Sequence, residues 1–356
     1  MVAATMAPNP QEAPPMMLSQ ETKEKEGPVR RQVSLSVVQR VVQAANGVKQ
    51  LGLFASLLAP NALPTNRVWA AANAGDDMLV LQHLAGLPND ATQLRPVLEY
   101  TNRHGQTPLI AACAKGHIRC VQALLMHSAN VYAQDNQGHT GLHHACLHGH
   151  FDLVGVLLSV QDPALRNREG LSAMDVCRRN IDGHRQVLAS AKCLELLEQR
   201  SRLFEGWLYE SVNNLASSAL GLRSLQSWVR RYAVVFSVGS PDFVEIACFD
   251  VQHGLRQLTP QSTILFRVHD PVVLNSQRKM FNPKPYNFTI AGSRKMPGGY
   301  LGRPDLFELA AFNAAEYERW ASFMCVAARA MTAHGAQHTA PPRGPSPSDP
   351  LYTKSA

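Results

Sequence analysis

The chain has 356 residues, enough for two or three modest domains, and its 45% hydrophobic and 17% charged residues are typical of a folded protein with a sizeable core. The formal net charge of +7 is compatible with acidic partners or membranes but specifies neither. The seven cysteines form no C-x-x-C pair, which disfavours a zinc ribbon. Since the sequence contains neither a secretory signal nor an apolar run of 18 residues, we expect a soluble, cytoplasmic protein.

The N-terminal region has two parts. Residues 1–29 are rich in proline and acidic residues and lack an apolar stretch, which predicts a disordered tail. Residues 30–62 carry apolar side chains at helical spacing, among them Val38, Val41 and Ala45, which predicts an amphipathic helical segment. Such a helix either packs against the domain that follows or lies on a membrane surface, and the first alternative is favoured.

The chain then repeats itself with a period of about 33 residues. A weaker copy opens near Gly170, and a degenerate first copy ends within residues 68–86. A fixed period of this length predicts stacked units, each of which cannot bury its apolar face alone. The matched pairs, all 33 residues apart, are Gly105 and Gly138, Thr107 and Thr140, Leu109 and Leu142, Gly116 and Gly149, and His117 and His150.

The repeated pattern G-x-T-P-L-x-x-A, followed by G-H and then by L-L, resembles the ankyrin repeat. The resemblance implies an α-solenoid of helix-turn-helix repeats over residues 63–202, with three to four repeats of which the terminal ones are degenerate. The residues agree with this reading. Thr107-Pro108 suits the start of a helix, and Gly116 and Gly149 suit left-handed helix ends.

The stretch GHTGLHHACLHGH at residues 138–150 contains five of the 14 histidines. By the resemblance, His143 and His150 stand where ankyrin repeats carry structural histidines. His144 and His148 depart from that pattern, and their i, i+4 spacing predicts that both face the groove of the stack. The pair could form half of a zinc site, but no third ligand is evident, so the sequence predicts neither a metal site nor a catalytic site.

The groove of the ankyrin stack is predicted to bind a protein partner through its turn tips and inner helices. The resemblance implies that these positions are not needed for stacking, so their side chains are available for recognition. On this interpretation, changing His144 and His148 together to Ala leaves thermal stability nearly unchanged. The candidate protein-binding residues are Arg103, His104, Gln106, Lys115, Asn136, Gln137, His139, His144, His148 and Arg168.

A second module follows, in which short β-branched and aromatic runs replace the period. Together with an amphipathic helix at 314–331, they predict an antiparallel sheet or barrel closed by a helix. The motifs G-W-L-Y, W-V-R-R-Y and the tryptophan of the last helix resemble a pleckstrin-homology domain. This implies a β-barrel or sandwich over residues 203–332 with Trp320 in its core, and residues 333–356 are predicted to be a disordered Pro/Ser-rich tail. The runs are residues 206–211, 227–236, 243–250, 262–268, 286–292 and 305–313.

The resemblance also bears on lipid binding. Phosphoinositide-binding members carry a lysine on the first strand and a K/R-x-R pair on the second, whereas this chain has Glu210, Val229 and Arg231 at those positions. We therefore expect no high-affinity phosphoinositide site, but a weak, salt-sensitive contact with an acidic membrane surface. The candidate anion-binding residues are Arg223, Arg231, Arg278, Lys279, Lys284, Arg294 and Lys295.

The sequence thus predicts a multidomain, non-catalytic adaptor or scaffold without cofactor or nucleic-acid partner. Its ankyrin groove binds a protein, and its second domain contacts a membrane surface or a second protein. Two alternatives remain open: a cytoskeleton-associated structural protein, or a regulatory protein of lipid transport or small-GTPase signalling that lacks its own catalytic domain. The expected location is the cytoplasm, including the periphery of a membrane or the cytoskeleton.

Overall fold

The computed structural model describes residues 64–87, 91–213, 220–222, 226–274, 284–296 and 298–335. The predicted tail at 1–29, the predicted helix at 30–62 and residues 336–356 lie outside these ranges, whereas residues 333–335 belong to the last helix. The described chain divides into a helical unit up to Arg200 and a strand-rich unit that begins at Ser201 and leaves out residues 298–300. Within the described ranges, no helix is both long and apolar enough to cross a bilayer.

Nine helices are described in the helical unit, and most of them form pairs of antiparallel helices joined by a tight turn, as the resemblance to ankyrin repeats implies. The short helix α3, between the first and second pairs, was not predicted. The helices are α1 (Pro64–Ala74), α2 (Asp77–Ala85), α3 (Ala91–Leu98), α4 (Pro108–Lys115), α5 (Ile118–Met126), α6 (Gly141–Leu147), α7 (Phe151–Leu158), α8 (Ala173–Asp182) and α9 (Val187–Ser201).

The ends of α4 show why these residues form a helix. Pro108 stands in the first turn, and the Thr107 hydroxyl accepts a hydrogen bond from the backbone N–H of Ile110. Gly116 ends the helix with a φ of 78°, a left-handed conformation that favours glycine. A Cβ at Gly116 would also lie 2.8 Å from the His150 ring of the next repeat, so two constraints require glycine here.

Backbone and side-chain hydrogen bonds join consecutive repeats. The backbone N–H of Asn136 donates to the carbonyl of His104, and that of Arg168 donates to Gln137 in the same way one repeat later. His150 Nε2 lies 3.3 Å from the Ala114 carbonyl, which confirms the structural role expected for this histidine. The turns therefore project side by side along one edge of the stack.

The strand-rich unit is a large antiparallel sheet followed by a helix, α10 (Ala314–Gly335). Its strands hydrogen-bond in the order β6-β3-β2-β1-β9-β8-β7, and an additional pairing of β6 with β8 closes a ring of six strands. The strands are β1 (Arg202–Val212), β2 (Ser227–Ser237), β3 (Phe243–Phe249), β4 (Val251–Gln252), β5 (Leu255–Arg256), β6 (Ser262–Arg267), β7 (Val273–Leu274), β8 (Asn287–Lys295) and β9 (Leu301–Ala310).

The six predicted runs all fall on strands of this sheet, but the hairpin of β4 and β5 and the short β7 were not predicted. Strand β8 continues past the predicted run at 286–292, because Ser293 and Lys295 still pair with β9. Trp320 on α10 is fully buried against core residues including Leu208 and Phe288, which confirms its predicted place in the core.

Candidate functional site

A cleft of about 750 Å³ lies on the helical unit, lined by α1, by the turn at 100–106, by α4 and by α6. It brings together six of the ten predicted protein-binding residues, which come from two successive repeats. It also includes residues that were not predicted, among them Trp69, Asn73 and Tyr100. The six predicted residues in the cleft are Arg103, His104, Gln106, Lys115, His144 and His148.

The side chains of this set differ in exposure. Those of Arg103, His104, Lys115 and His148 are exposed, and that of Gln106 is half-buried. The four remaining predicted residues do not line the cleft. Asn136, Gln137 and Arg168 lie at the tips of the next two turns and are exposed. His139 is half-buried.

His144 has a structural contact that the sequence did not reveal. Only 7% of the residue is exposed, and its Nε2 donates to Asp135 Oδ2 over 2.8 Å. The other carboxylate oxygen of Asp135 accepts from the backbone N–H groups of Gln137 and His139. His144 thus forms one wall of the cleft while holding a buried carboxylate, so we revise the expectation that its removal leaves stability unchanged.

The aspartate belongs to a repeated turn. Asn102, Asp135 and Asn167 each open a turn and each accept hydrogen bonds from the backbone N–H groups two and four residues later. The three positions lie 33 and 32 residues apart, so the period could have revealed them. Asp135 is the one carboxylate among them, and its second oxygen accepts from His144.

Asp135, His139 and His144 also form a candidate metal cluster, because one donor atom from each lies within 4.8 Å of the others. This cluster shares only His144 with the His144 and His148 pair considered from sequence, and His148 is not part of it. The hydrogen bonds fit a metal poorly, however. Asn167 Nδ2 donates to His139 Nε2 over 2.8 Å, which leaves the proton of that ring on Nδ1, the atom that would have to bind the metal.

The Asn167 amide cannot reverse its orientation without cost, because its Oδ1 already accepts the backbone N–H groups of Glu169 and Leu171. Hydrogen bonds from His144 and from the backbone lower the pKa of Asp135 although burial opposes this, and burial lowers the pKa of His139. Both oxygens of the Asp135 carboxylate thus accept hydrogen bonds from the protein, whereas Nδ1 of His139 and Nδ1 of His144 are buried without a hydrogen-bond partner among the described residues.

Comparison with known proteins bears on the helical unit. Residues 68–167 match the family model described as ankyrin repeats, in three copies. These residues are ankyrin repeats. Repeats of this family generally mediate protein–protein interaction, which agrees with an open cleft whose walls come from successive repeats.

Several known proteins are similar to part of this chain. A mouse (Mus musculus) protein named fem-1 homolog A-like is 33% identical over 91 residues, 26% of this chain and 14% of that protein. A probable E3 ubiquitin-protein ligase, XBOS32, from Oryza sativa subsp. japonica is 40% identical over 67 residues, 18% of this chain and 14% of that protein. Human (Homo sapiens) Rabankyrin-5 is 43% identical over 118 residues, 32% of this chain and 10% of that protein. The match thus spans 14% or less of each of these relatives.

Beyond the ankyrin repeats, the predicted anion-binding residues of the strand-rich unit have intramolecular partners. Arg231 and Arg294 both contact the carboxylate of Glu210, which is 2% exposed, at 3.4 and 3.3 Å. Arg231 also pairs with Asp250. Ser262 Oγ donates to Glu210 over 2.6 Å, so the buried carboxylate is well satisfied.

The other basic residues of the set are engaged or outside the described chain. Lys295 Nζ lies 3.0 Å from the buried carboxylate of Glu245, and Lys284 Nζ lies 4.1 Å from the centre of the Tyr209 ring. The three that fall outside the described residues are Arg223, Arg278 and Lys279. These contacts reduce the positive charge that the described residues present to an anion.

Proposed function

We propose that the protein is a non-catalytic adaptor whose ankyrin cleft binds a partner protein. The observation that carries the proposal is the cleft itself, in which exposed polar side chains from two repeats converge beside the half-buried aromatic residues Trp69 and Tyr100. The matches to proteins named as E3 ubiquitin-protein ligases do not extend a ligase activity to this chain, since the XBOS32 match covers only 14% of that protein.

The strand-rich unit is proposed to be a pleckstrin-homology domain that contacts an acidic membrane surface weakly or binds a second protein. A closed ring of antiparallel strands followed by a helix, with Trp320 in the core, supports this assignment. The carboxylates of Glu210 and Asp250 support the weakness of the lipid contact, because they pair with Arg231 and Arg294 and offset the positive charge that a phosphate group would need.

Site-specific photo-crosslinking in cells tests the ankyrin proposal. A photo-crosslinking amino acid is placed in the full chain at His148, in the cleft, and in a control at Arg119, which is exposed on α5 outside it. We expect a discrete adduct from His148, suppressed by excess purified wild-type chain, and none from Arg119. Equal labelling at both positions, or labelling at neither, would contradict the proposal.

Liposome flotation of the full chain tests the membrane proposal. Binding to phosphatidylserine vesicles is expected to be weak, lost at high salt and equal for the phosphoinositide isomers. Tight, isomer-selective binding that persists in high salt and is abolished by Arg231→Ala would show that Glu210 does not block a lipid site. Localisation of a tagged chain with and without detergent extraction separates this membrane proposal from a cytoskeletal or regulatory role.

A further inference from the structure

The ankyrin cleft has an unbalanced charge. Arg103 and Lys115 contribute fixed positive charges, and His104, His144 and His148 contribute imidazoles. Among the described residues that line the cleft there is no carboxylate. A ligand in this cleft therefore meets positive charge that no lining side chain compensates.

The carboxylate of Asp135, which contacts the cleft residue His144, does not change this. Both oxygens of Asp135 are used inside the protein, one by His144 and the other by two backbone N–H groups. Only 7% of Asp135 is exposed, so its carboxylate contacts hydrogen-bond donors of the protein and not a ligand in the cleft. The positive side chains in front of it stay available to a partner.

Arg103 and Lys115 are suited to carboxylates. Within the described chain, neither forms an ion pair with an acidic side chain, and both are exposed. Arg103 Nε donates to His104 Nε2 over 3.1 Å, which anchors the guanidinium and leaves its terminal nitrogens for a ligand. A guanidinium held in this way can bind a carboxylate through two parallel hydrogen bonds.

Two aromatic rings also line the cleft. The indole N–H of Trp69 donates to the carbonyl of Gln106 over 3.0 Å, so the ring is held in place and its face is half-exposed. Tyr100 lies at the start of the same turn. Such rings offer apolar contact area with little loss of conformational entropy when a ligand binds.

We propose that the ligand of this cleft is an acidic, extended peptide segment of a partner protein, in which carboxylates alternate with large apolar side chains. This rests on the proposed function and adds the chemistry of the partner. A nucleic acid is the less suitable polyanion, because its closely spaced phosphates would need more than the two fixed cations of this cleft.

Fluorescence anisotropy with the full chain tests the proposal. The probes are three fluorescein-labelled twelve-residue peptides, built from four copies of Glu-Glu-Leu, Gln-Gln-Leu or Lys-Lys-Leu, and a twelve-nucleotide oligothymidine. The variant Arg103→Glu/Lys115→Glu reverses the charge of the cleft. Lys192→Glu, an exposed change outside it, is the matched control, and far-UV circular dichroism checks that the variants fold.

The Glu peptide is expected to bind wild type and Lys192→Glu equally, and to bind the double variant at least about tenfold more weakly. The Gln peptide should bind more weakly than the Glu peptide, and the Lys peptide should not bind. Equal binding of Glu and Gln peptides would overturn the acidic preference while leaving the cleft a protein-binding surface. Failure of the Glu peptide to bind would also overturn the acidic preference. The photo-crosslinking experiment at His148 tests the proposed function separately. If the oligothymidine bound more tightly than the Glu peptide, and if Arg103→Glu/Lys115→Glu weakened that binding, the ligand of the cleft would be a nucleic acid and not a peptide.

Discussion

The buried imidazole of His143 should make the ankyrin unit sensitive to mild acid. The residue is 1% exposed; its Nε2 donates to the Leu171 carbonyl over 3.1 Å, and its Nδ1 accepts from Thr140. Burial lowers the pKa of His143 from 6.5 to about 4, because the charged imidazolium would lose its hydration in this buried site. The unfolded chain therefore binds this proton first as the pH falls.

The magnitude follows from the size of the pKa shift. His143 should cost about 3 kcal/mol of stability between pH 6.5 and pH 4, with no further loss from this residue below its folded pKa. The control is His143→Ile, since Ile110 is the fully buried residue at the same position of the preceding repeat. Isoleucine does not titrate, so the variant keeps the pH dependence of every other group.

Urea unfolding of the full chain at several pH values, followed by circular dichroism at 222 nm, measures the effect. The data are fitted to two transitions because the chain has two units. Wild type should lose about 3 kcal/mol more than His143→Ile between pH 6.5 and pH 4. Parallel pH profiles for the two proteins would refute the reasoning, whatever the stability of the variant at neutral pH.

Three further outcomes follow from the described contacts. His144→Ala should lower stability by about 2 kcal/mol, because it leaves Oδ2 of the buried Asp135 carboxylate without its donor. His148→Ala should change stability by less than about 0.5 kcal/mol, and equal urea midpoints for the two variants would show that the buried hydrogen bond contributes nothing. Zinc should not raise the melting temperature of the full chain, and an increase that disappears in Asp135→Asn would identify a metal site. Glu210→Ala should destabilise the strand-rich unit by about 3 kcal/mol, because it leaves Arg231 and a second arginine without their shared carboxylate, and an unchanged near-UV melting curve would contradict this.

The parts of the fold that repeat or alternate could be predicted from the sequence. The 33-residue spacing of the Gly105 and Gly138 turns identified the ankyrin repeats because stacked units require the same backbone conformation at each turn. The strands of the second unit were found from their apolar and aromatic runs. The hairpin at 251–256 was not, because its two-residue strands are too short for an alternating pattern to show.

Contacts between distant positions could not be predicted in the same way. Glu210 stands on β1, whereas Arg294 lies 84 residues later on β8, and their meeting depends on the closure of the strand ring. Trp69 escaped notice because its repeat is degenerate. The contact of Asp135 with His144 could not be predicted, because it depends on how the turn folds back on α6. The repeated spacing of Asn102, Asp135 and Asn167 could have shown that Asp135 occupies a turn position.

The most direct measurement of the central claim is a map of where the acidic peptide binds. A Glu-Glu-Leu peptide with a central photo-crosslinking residue is bound to the full chain and irradiated, and mass spectrometry identifies the attached residues. Attachment is predicted at Trp69, within residues 100–106, or at Lys115 and His148, and it should be lost in Arg103→Glu/Lys115→Glu. Attachment confined to the strand-rich unit or to α5 would contradict the assignment of the ankyrin cleft as the binding site.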